Sequence, residues 1–276
     1  MKISILTPSF NQGEFIEKNI KSVLNQNWNE IEHIIIDGCS SDNTLAILKK
    51  YSHLKWVSEQ DEGQADALNK GLEIASGDII GWINSDDYYK EDIFNDVVIA
   101  FKDENTNWVV GNITLVYPSL GIEYEISSPV ITYEKLLKKP SIVKQQATFF
   151  RKEALLAAGG WNKKYFMAMD FDLFIRLSKK YPPKMIDREW AYFTIHDNQK
   201  SSSKNLLTEI SDITDILQRE NLSWIKIQKT VSKYYFYLFK SFIKNIFIRF
   251  NFINKRYVNI PISLEKKSNR IKSSKS

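Results

Sequence analysis

Over the first hundred residues, short runs rich in β-branched residues alternate with longer stretches whose apolar residues recur at helical spacing. That alternation restricts the fold more than any other feature of the chain. Ile3-Ser4-Ile5-Leu6-Thr7 has the length and composition of a buried strand, and Glu14 to Leu24 then places Ile16, Ile20, Val23 and Leu24 on one helical face. His33-Ile34-Ile35-Ile36 repeats the strand pattern, and Cys39-Ser40-Ser41-Asp42-Asn43-Thr44 supplies capping residues ahead of Leu45-Ala46-Ile47-Leu48. Leu54-Lys55-Trp56-Val57 gives a third strand, Ala65, Leu68, Leu72 and Ala75 line a third helix, and Ile79 to Ile83 gives a fourth strand. Successive β-α-β units predict an α/β fold built on a mainly parallel sheet with helices on both faces.

In such sheets ligands bind at the carboxyl ends of the strands. Four loops are thereby selected: Thr7-Pro8-Ser9-Phe10-Asn11, Asp37-Gly38-Cys39-Ser40, Ser58-Glu59-Gln60-Asp61-Glu62-Gly63 and Asn84-Ser85-Asp86-Asp87. Neither a GxGxxG after the first strand nor a GxxxxGK[ST] occurs, which argues against a dinucleotide fold and a P-loop NTPase. Three of the four loops carry carboxylates. The fourth is the sharpest case, because the apolar run Ile79-Ile80-Gly81-Trp82-Ile83 ends in two adjacent acids. Neighbouring like charges repel unless a positive group or water lies between them. Taken alone, Asp86 or Asp87 would cap the helix that follows near Asp92-Ile93-Phe94.

After Phe101 the pattern loosens. Trp108 to Leu115 and Lys144 to Phe150 read as strands, Gly159-Gly160 as a turn, and Leu173, Ile175 and Leu177 as a helix ended by Tyr181-Pro182-Pro183. With 276 residues, 43% of them hydrophobic, the chain can bury a sizeable core. A single cysteine, Cys39, excludes an intrachain disulfide and fits a reducing compartment. Neither a signal peptide nor a run of about 18 uncharged apolar residues is present, so a cytoplasmic protein is expected.

The segments "ISILTPSFNQGEFIEKNIKSVLNQ", "HIIIDGCSSDNT", "EQDEGQADALNKGLEIASGDIIGWINSDD", "QQATFFRKEALLAAGGWNKKYFMAMDFDLFIRL" and "IHDNQKSSS" resemble, in order and spacing, inverting family 2 glycosyltransferases with the Rossmann-like GT-A fold. The resemblance covers most of residues 1–203 and implies a GT-A domain over 1–204. It implies transfer of a sugar from a nucleotide-diphosphate donor, UDP-linked, to a hydroxyl of a glycan or lipid-linked acceptor, in bacterial surface-polysaccharide synthesis. A catalytically silent sugar-nucleotide-binding protein, or a membrane-associated scaffold, is the alternative reading.

By the same resemblance, Ser85-Asp86-Asp87 takes the place of a DxD-type motif. Asp87 and Asp86 would hold Mn²⁺ or Mg²⁺, hard cations that prefer oxygen, with His196 as a third ligand and Asp86 also near the ribose. Pro8 and Ser9 would shape the base loop, Phe10 would pack on a flat base, and Asp37 would accept from a uracil N–H, although Gly38 stands where many relatives have a second acid. Glu59, Asp61 and Asp66 match positions lining the donor site. Asp170 matches the aspartate that takes the acceptor's proton, with Met169 replacing the common Glu. If the segment is helical, Asp172 points about 200° from Asp170, and an i, i+4 pairing with Arg176 is its expected role. Gln145 and Gln146 would hydrogen-bond acceptor hydroxyls and Trp161 would stack on the acceptor, a packed core Trp being the other reading.

Residues 205–276 lie outside the resemblance and form a helical, basic and aromatic extension. From Asn221 onward there are thirteen Lys or Arg residues and one acid, Glu265, giving +12 against −7 for residues 1–220. Phe242, Ile243, Ile246, Phe247, Phe250 and Ile253 fall near helical spacing among Lys240, Lys244 and Arg249. That reads as an amphipathic helix on an anionic membrane, here the cytoplasmic face of the inner membrane. Packing on the body or in a homodimer is the alternative. The acidic body argues against nucleic acid.

Overall fold

The computed structural model describes residues 1–200, 205–253 and 271–273. Strands β1 (Ile3–Ser9), β2 (Ile31–Asp37), β3 (Lys55–Ser58) and β4 (Ile79–Trp82) alternate with helices α1 (Ile16–Leu24), α2 (Thr44–Leu48) and α3 (Gln64–Ile74). These four strands are parallel in the order β3-β2-β1-β4, as the alternating pattern requires. A two-residue strand β5 (Tyr88–Tyr89) and helix α4 (Phe94–Phe101) follow, then β6 (Trp108–Tyr117), β7 (Ile122–Ile126), α5 (Tyr133–Leu136), β8 (Thr148–Arg151), α6 (Lys152–Ala157), α7 (Met169–Lys180), β9 (Lys184–Thr194), α8 (Leu206–Arg219), α9 (Trp224–Ile253) and β10 (Ile271–Ser273).

The sheet is mixed rather than mainly parallel. Strand β8 runs antiparallel between β4 and β6, β7 forms a hairpin with β6, and β9 is parallel to β6. The change follows from connection length. The turn Pro118–Leu120 between β6 and β7 is too short for a crossover, so the chain reverses. Residues Gln145–Ala147, expected in a strand, form a 3₁₀ turn, and the strand begins only at Thr148.

Strand alternation sorts the core. Leu6, Ile34, Ile36, Ile80, Trp82, Trp108 and Phe150 face one side and pack with α3, α7 and α8. Ile3, Ile5, Ile79, Ile83, Val109 and Phe149 face the other and pack with α4 and Trp190, and Ile35 meets α1 and α2 there. That second face is tightly filled at Gly81, where an added Cβ would lie 2.6 Å from Ile5 Cδ1 and 2.7 Å from Phe149 Cε1.

The first-named cluster crosses residue 204. Ile213, Ile216 and Leu217 of α8 and Ile227 and Tyr234 of α9 are buried with Phe171, Leu173 and Phe174 of α7. The expected boundary therefore does not coincide with a break in the core. Beyond that base, α9 exposes Trp224, Ile225, Tyr235, Phe236 and Phe239. The side chains of Phe242, Phe247 and Phe250, and residues Lys255, Arg256, Lys266, Lys267, Arg270 and Lys275, lie outside the described residues.

Candidate active site

The four loops selected from the sequence meet at one rim. Gly38 N–H donates to Ser9 O at 2.8 Å, Glu59 N–H to Asp37 O at 2.9 Å, and Ser85 Oγ to Pro8 O at 2.6 Å, so each loop is tied to its neighbour. Phe10 is 61% exposed on this rim, with a ring face available to a flat ligand. Asp37 is fully buried and accepts from Ser40 N–H (2.9 Å), Ser40 Oγ (2.5 Å) and Ser58 Oγ (2.7 Å). Three donors make it first the organiser of its own loop. Gly38 has no side chain for a reason: a Cβ there would lie 2.7 Å from Asp61 Oδ2. The carboxylate of Asp61, held by Gly63 N–H at 2.8 Å, thus covers the backbone at Gly38.

At the end of β4, Asp87 is 1% exposed. Its Oδ1 accepts from Thr194 N–H at 2.9 Å and its Oδ2 is buried with no partner. Burial, then the neighbouring Asp86 charge, push the Asp87 carboxyl well above the usual carboxylate range. Asp86 Oδ2 lies 3.1 Å from His196 Nε2, and the Phe15 ring stacks on the imidazole at 4.4 Å. His196 Nδ1 is buried without a partner. An orphaned carboxylate oxygen and an orphaned imidazole nitrogen, beside a second acid, form an anionic corner that fits a divalent cation, with both Asp residues as oxygen donors. Among the described residues, no three His, Cys, Asp or Glu side chains are grouped so as to hold a metal ion together.

Asp170 stands in the first turn of α7, half-buried, with Oδ1 accepting from Phe171 N–H at 2.7 Å. Burial raises its pKa above the usual value, and the Phe171 N–H and the charge of Lys200 oppose that shift. Lys200 Nζ donates to Gln64 Oε1 at 3.0 Å and lies 4.2 Å from the Phe166 ring centre. Burial lowers Lys200 to about 8. Gln64 Nε2 in turn donates to Asn84 Oδ1 at 2.7 Å. A polar path thus runs from the Asp170 environment through Lys200, Gln64 and Asn84 to the paired acids. Asp172, by contrast, is fully buried and clamped by Arg176 of its own helix (2.6 Å) and by Arg219 of α8.

Several expected ligands are spent elsewhere. Gln145 donates to Trp82 O at 2.7 Å and accepts from Asn84 at 3.4 Å, and Gln146 is buried with its side chain bearing on the Asp87 carboxyl, so both amides support the acidic loop rather than an acceptor. Trp161 is 1% exposed, edge-on to Trp82, and cannot stack on a sugar. Asp66 accepts from Glu62 N–H at the start of α3 and pairs with Lys163 and Lys70, and exposed Glu59 pairs with Lys70 at 2.8 Å. Both belong to a surface ion-pair group at the head of α3. Reading the sequence missed Gln64, Asn84 and Lys200. Lys200 stands 136 residues from Gln64, and nothing local marks the pair.

A profile described as "Glycosyl transferase family 2" matches residues 4–159. An uncharacterized glycosyltransferase of Mycobacterium tuberculosis is 31% identical over 182 residues, spanning 63% of this chain and 68% of its own. The poly(ribitol-phosphate) beta-N-acetylglucosaminyltransferase TarP of Staphylococcus aureus is 32% identical over 117 residues, 40% of this chain and 36% of TarP. Of solved structures, S. aureus TarS in complex with UDP-GlcNAc aligns at TM-score 0.65 and 18% identity over 85% of this chain and 71% of that one. A mannosyltransferase from Pyrobaculum calidifontis, with GDP-Man and Mn²⁺, aligns at TM-score 0.62 and 16% identity over 85% and 69%. Those two likenesses concern the fold, and the profile spans more than half of the sequence. The chain therefore belongs to glycosyl transferase family 2, with the GT-A fold.

Proposed function

We propose that this glycosyltransferase moves a sugar from a UDP-linked donor to a hydroxyl of a glycan or lipid-linked acceptor, with inversion at the anomeric carbon. The observation that carries the reading is the orphaned, buried Asp87 carboxylate beside Asp86 and His196, joined through Asn84, Gln64 and Lys200 to the surroundings of Asp170. Asp170 has one oxygen fixed by Phe171 N–H, which leaves the other to take the acceptor's proton. The acceptor oxygen bonds to the anomeric carbon as the bond to the diphosphate breaks on the opposite face. Lys200 places a desolvated positive charge where the diphosphate leaves. Phe10 and Asp61 face the nucleotide base. Asp86 and Asp87 would hold Mn²⁺ or Mg²⁺, which when bound neutralises charge on the departing diphosphate.

Surface-glycopolymer synthesis is the setting we propose, supported by the resemblance to TarP, whose name gives poly(ribitol-phosphate) as its acceptor. On α9, an apolar groove of about 540 Å³ is lined by Val231, Ser232, Tyr235, Phe236 and Phe239. Lys226, Lys229, Lys233 and Lys240 lie along an adjacent sector of the helix, an arrangement suited to an anionic lipid surface. None of the described helices is long and apolar enough to cross a membrane. The test is incubation with a panel of UDP- and GDP-sugars, a hydroxyl acceptor and Mn²⁺, followed by NMR of the product's anomeric centre. Inversion with a UDP-sugar is expected. A product with retained configuration would overturn the mechanism, and transfer from GDP-sugars alone would overturn the donor assignment.

A further inference from the structure

The turn that carries the paired acids has little regular structure of its own, and irregular backbone that is buried must find partners. It finds them on α1. Asn19 and Ser22 stand at i and i+3 on one stripe of that helix, and Gln26 follows just past its C-terminal end. Asn19 Nδ2 donates to both Asn84 O and Asp87 O at 2.9 Å. Ser22 Oγ accepts from Tyr89 N–H at 3.1 Å. Gln26 donates to Lys90 O at 2.7 Å and accepts from Ile93 N–H at 3.0 Å. Three side chains thus satisfy five main-chain groups between Asn84 and Ile93.

Asn19 is the member nearest the acids and is fully buried. Its amide orientation is set from behind. Thr7 Oγ1 donates to Asn19 Oδ1 at a long 3.5 Å, and His33 Nε2 lies 3.0 Å from Thr7 Oγ1. Burial lowers the His33 pKa to about 3, so this support stays neutral across the working range. Asp87 is then gripped from two sides: its main-chain carbonyl by Asn19, and its Oδ1 by Thr194 N–H from β9. What remains is the unpartnered Oδ2.

We infer that Asn19 is a positioning residue that aims Asp87 Oδ2 into the donor site by holding the Asn84–Asp87 turn against α1. The inference rests on the proposed diphosphate and cation role of that turn. Ile16, Ile20 and Val23 anchor α1 in the core, so Asn19→Ala removes the grip without removing the helix. Supporting groups of this kind are commonly worth about 10- to 100-fold in metal affinity.

The experiment uses the full chain, wild type, Asn19→Ala and the core control Ile20→Ala. Amide exchange is followed by mass spectrometry, and binding of UDP with Mn²⁺ by the paramagnetic resonance signal of free Mn²⁺. For Asn19→Ala, faster exchange confined to residues 84–93 is expected, with at least about tenfold weaker Mn²⁺ binding in the presence of UDP. Ile20→Ala should lower thermal stability while leaving Mn²⁺ binding unchanged. Uniformly faster exchange in Asn19→Ala, or unchanged exchange at 84–93, overturns the inference. So does local loosening with wild-type Mn²⁺ affinity. If the wild type itself binds no Mn²⁺ with UDP, the cation reading fails. The inference is then decided by exchange and by UDP affinity measured calorimetrically, which must fall in Asn19→Ala for it to stand.

Discussion

Lys200 donates to Gln64 Oε1 at 3.0 Å while its charge bears on the carboxylate of Asp170. Because burial lowers Lys200 to about 8, its cation is lost just above neutral pH. Asp170 is shifted upward and must be ionised to accept a proton. A bell-shaped profile of kcat/KM is therefore expected, with an acid limb above the usual carboxylate range and a basic limb near 8. Lys200→Met should lower kcat/KM at pH 7 and abolish the basic limb. In stability the sign is opposite. A lysine with a depressed folded pKa costs stability below about pH 8, and that cost disappears as pH rises toward its unfolded value. The wild type should thus gain in melting temperature relative to Lys200→Met between pH 7 and pH 10.

The two carboxylates of α7 should separate cleanly in kinetics and stability. Asp170→Asn is expected to remove most turnover while leaving UDP affinity nearly intact, since proton transfer belongs to the transition state. Asp172→Asn leaves Arg176 and Arg219 short of a buried anion. Breaking such a group costs about 3–5 kcal/mol, read as a lower urea midpoint, with turnover per folded molecule largely kept. The reverse ordering of the two kinetic effects would show that the wrong acid was assigned.

Asp87→Ala should abolish transfer and weaken UDP binding in Mn²⁺. EDTA should inhibit the wild type, and Mn²⁺ or Mg²⁺ should restore it. Full activity after exhaustive dialysis against EDTA would remove the cation from the mechanism.

Much of this was legible in the sequence, for identifiable reasons. Strands β1, β2 and β4 announce themselves because both faces are buried and their residues are correspondingly apolar. The acidic loop stands out because a carboxylate pair after an apolar strand has no local explanation. Strand β9 escaped because Asp187-Arg188-Glu189 interrupts its apolar residues, and its pairing with β6 carries bulges. Asn19 reads as an ordinary polar residue on an amphipathic helix, since its partners are main-chain carbonyls 65 and 68 residues away. Gln145, Gln146 and Trp161 misled for the converse reason. Amides and indoles suit sugars, but these three find protein partners that only the folded chain supplies.

Gly81→Ala tests how tightly the Ile5–Phe149 face of the sheet is filled at β4. With Ile5 and Phe149 both under 3 Å from the new methyl, overpacking of about 1–3 kcal/mol is expected, seen as a lower melting temperature.

The membrane reading predicts sedimentation with vesicles containing anionic lipid at low salt. Each basic residue near such a surface contributes about 1 kcal/mol, and salt should screen it. Tyr235, Phe236 and Phe239 changed together to Ser should weaken vesicle binding without lowering transfer to a soluble acceptor. If the full chain ignores these vesicles and instead sediments as a dimer, the exposed face of α9 is a subunit contact.

The clamp on Asp172 has a consequence for modularity. Arg219 reaches it from α8, and α9 delivers Ile227 and Tyr234 to the same cluster. Tyr234 also hydrogen-bonds Glu209 at 2.5 Å, and Glu209 feels the charge of Asp170. The part of the chain that could select a location in the cell is thus mechanically continuous with the part proposed to move a proton. Grafting a foreign C-terminal segment after residue 204 would exchange more than an address: it would leave a buried anion half-neutralised and reset the electrostatics around Asp170. A transplant that keeps the enzyme intact has to join beyond Tyr234, within the outer turns of α9.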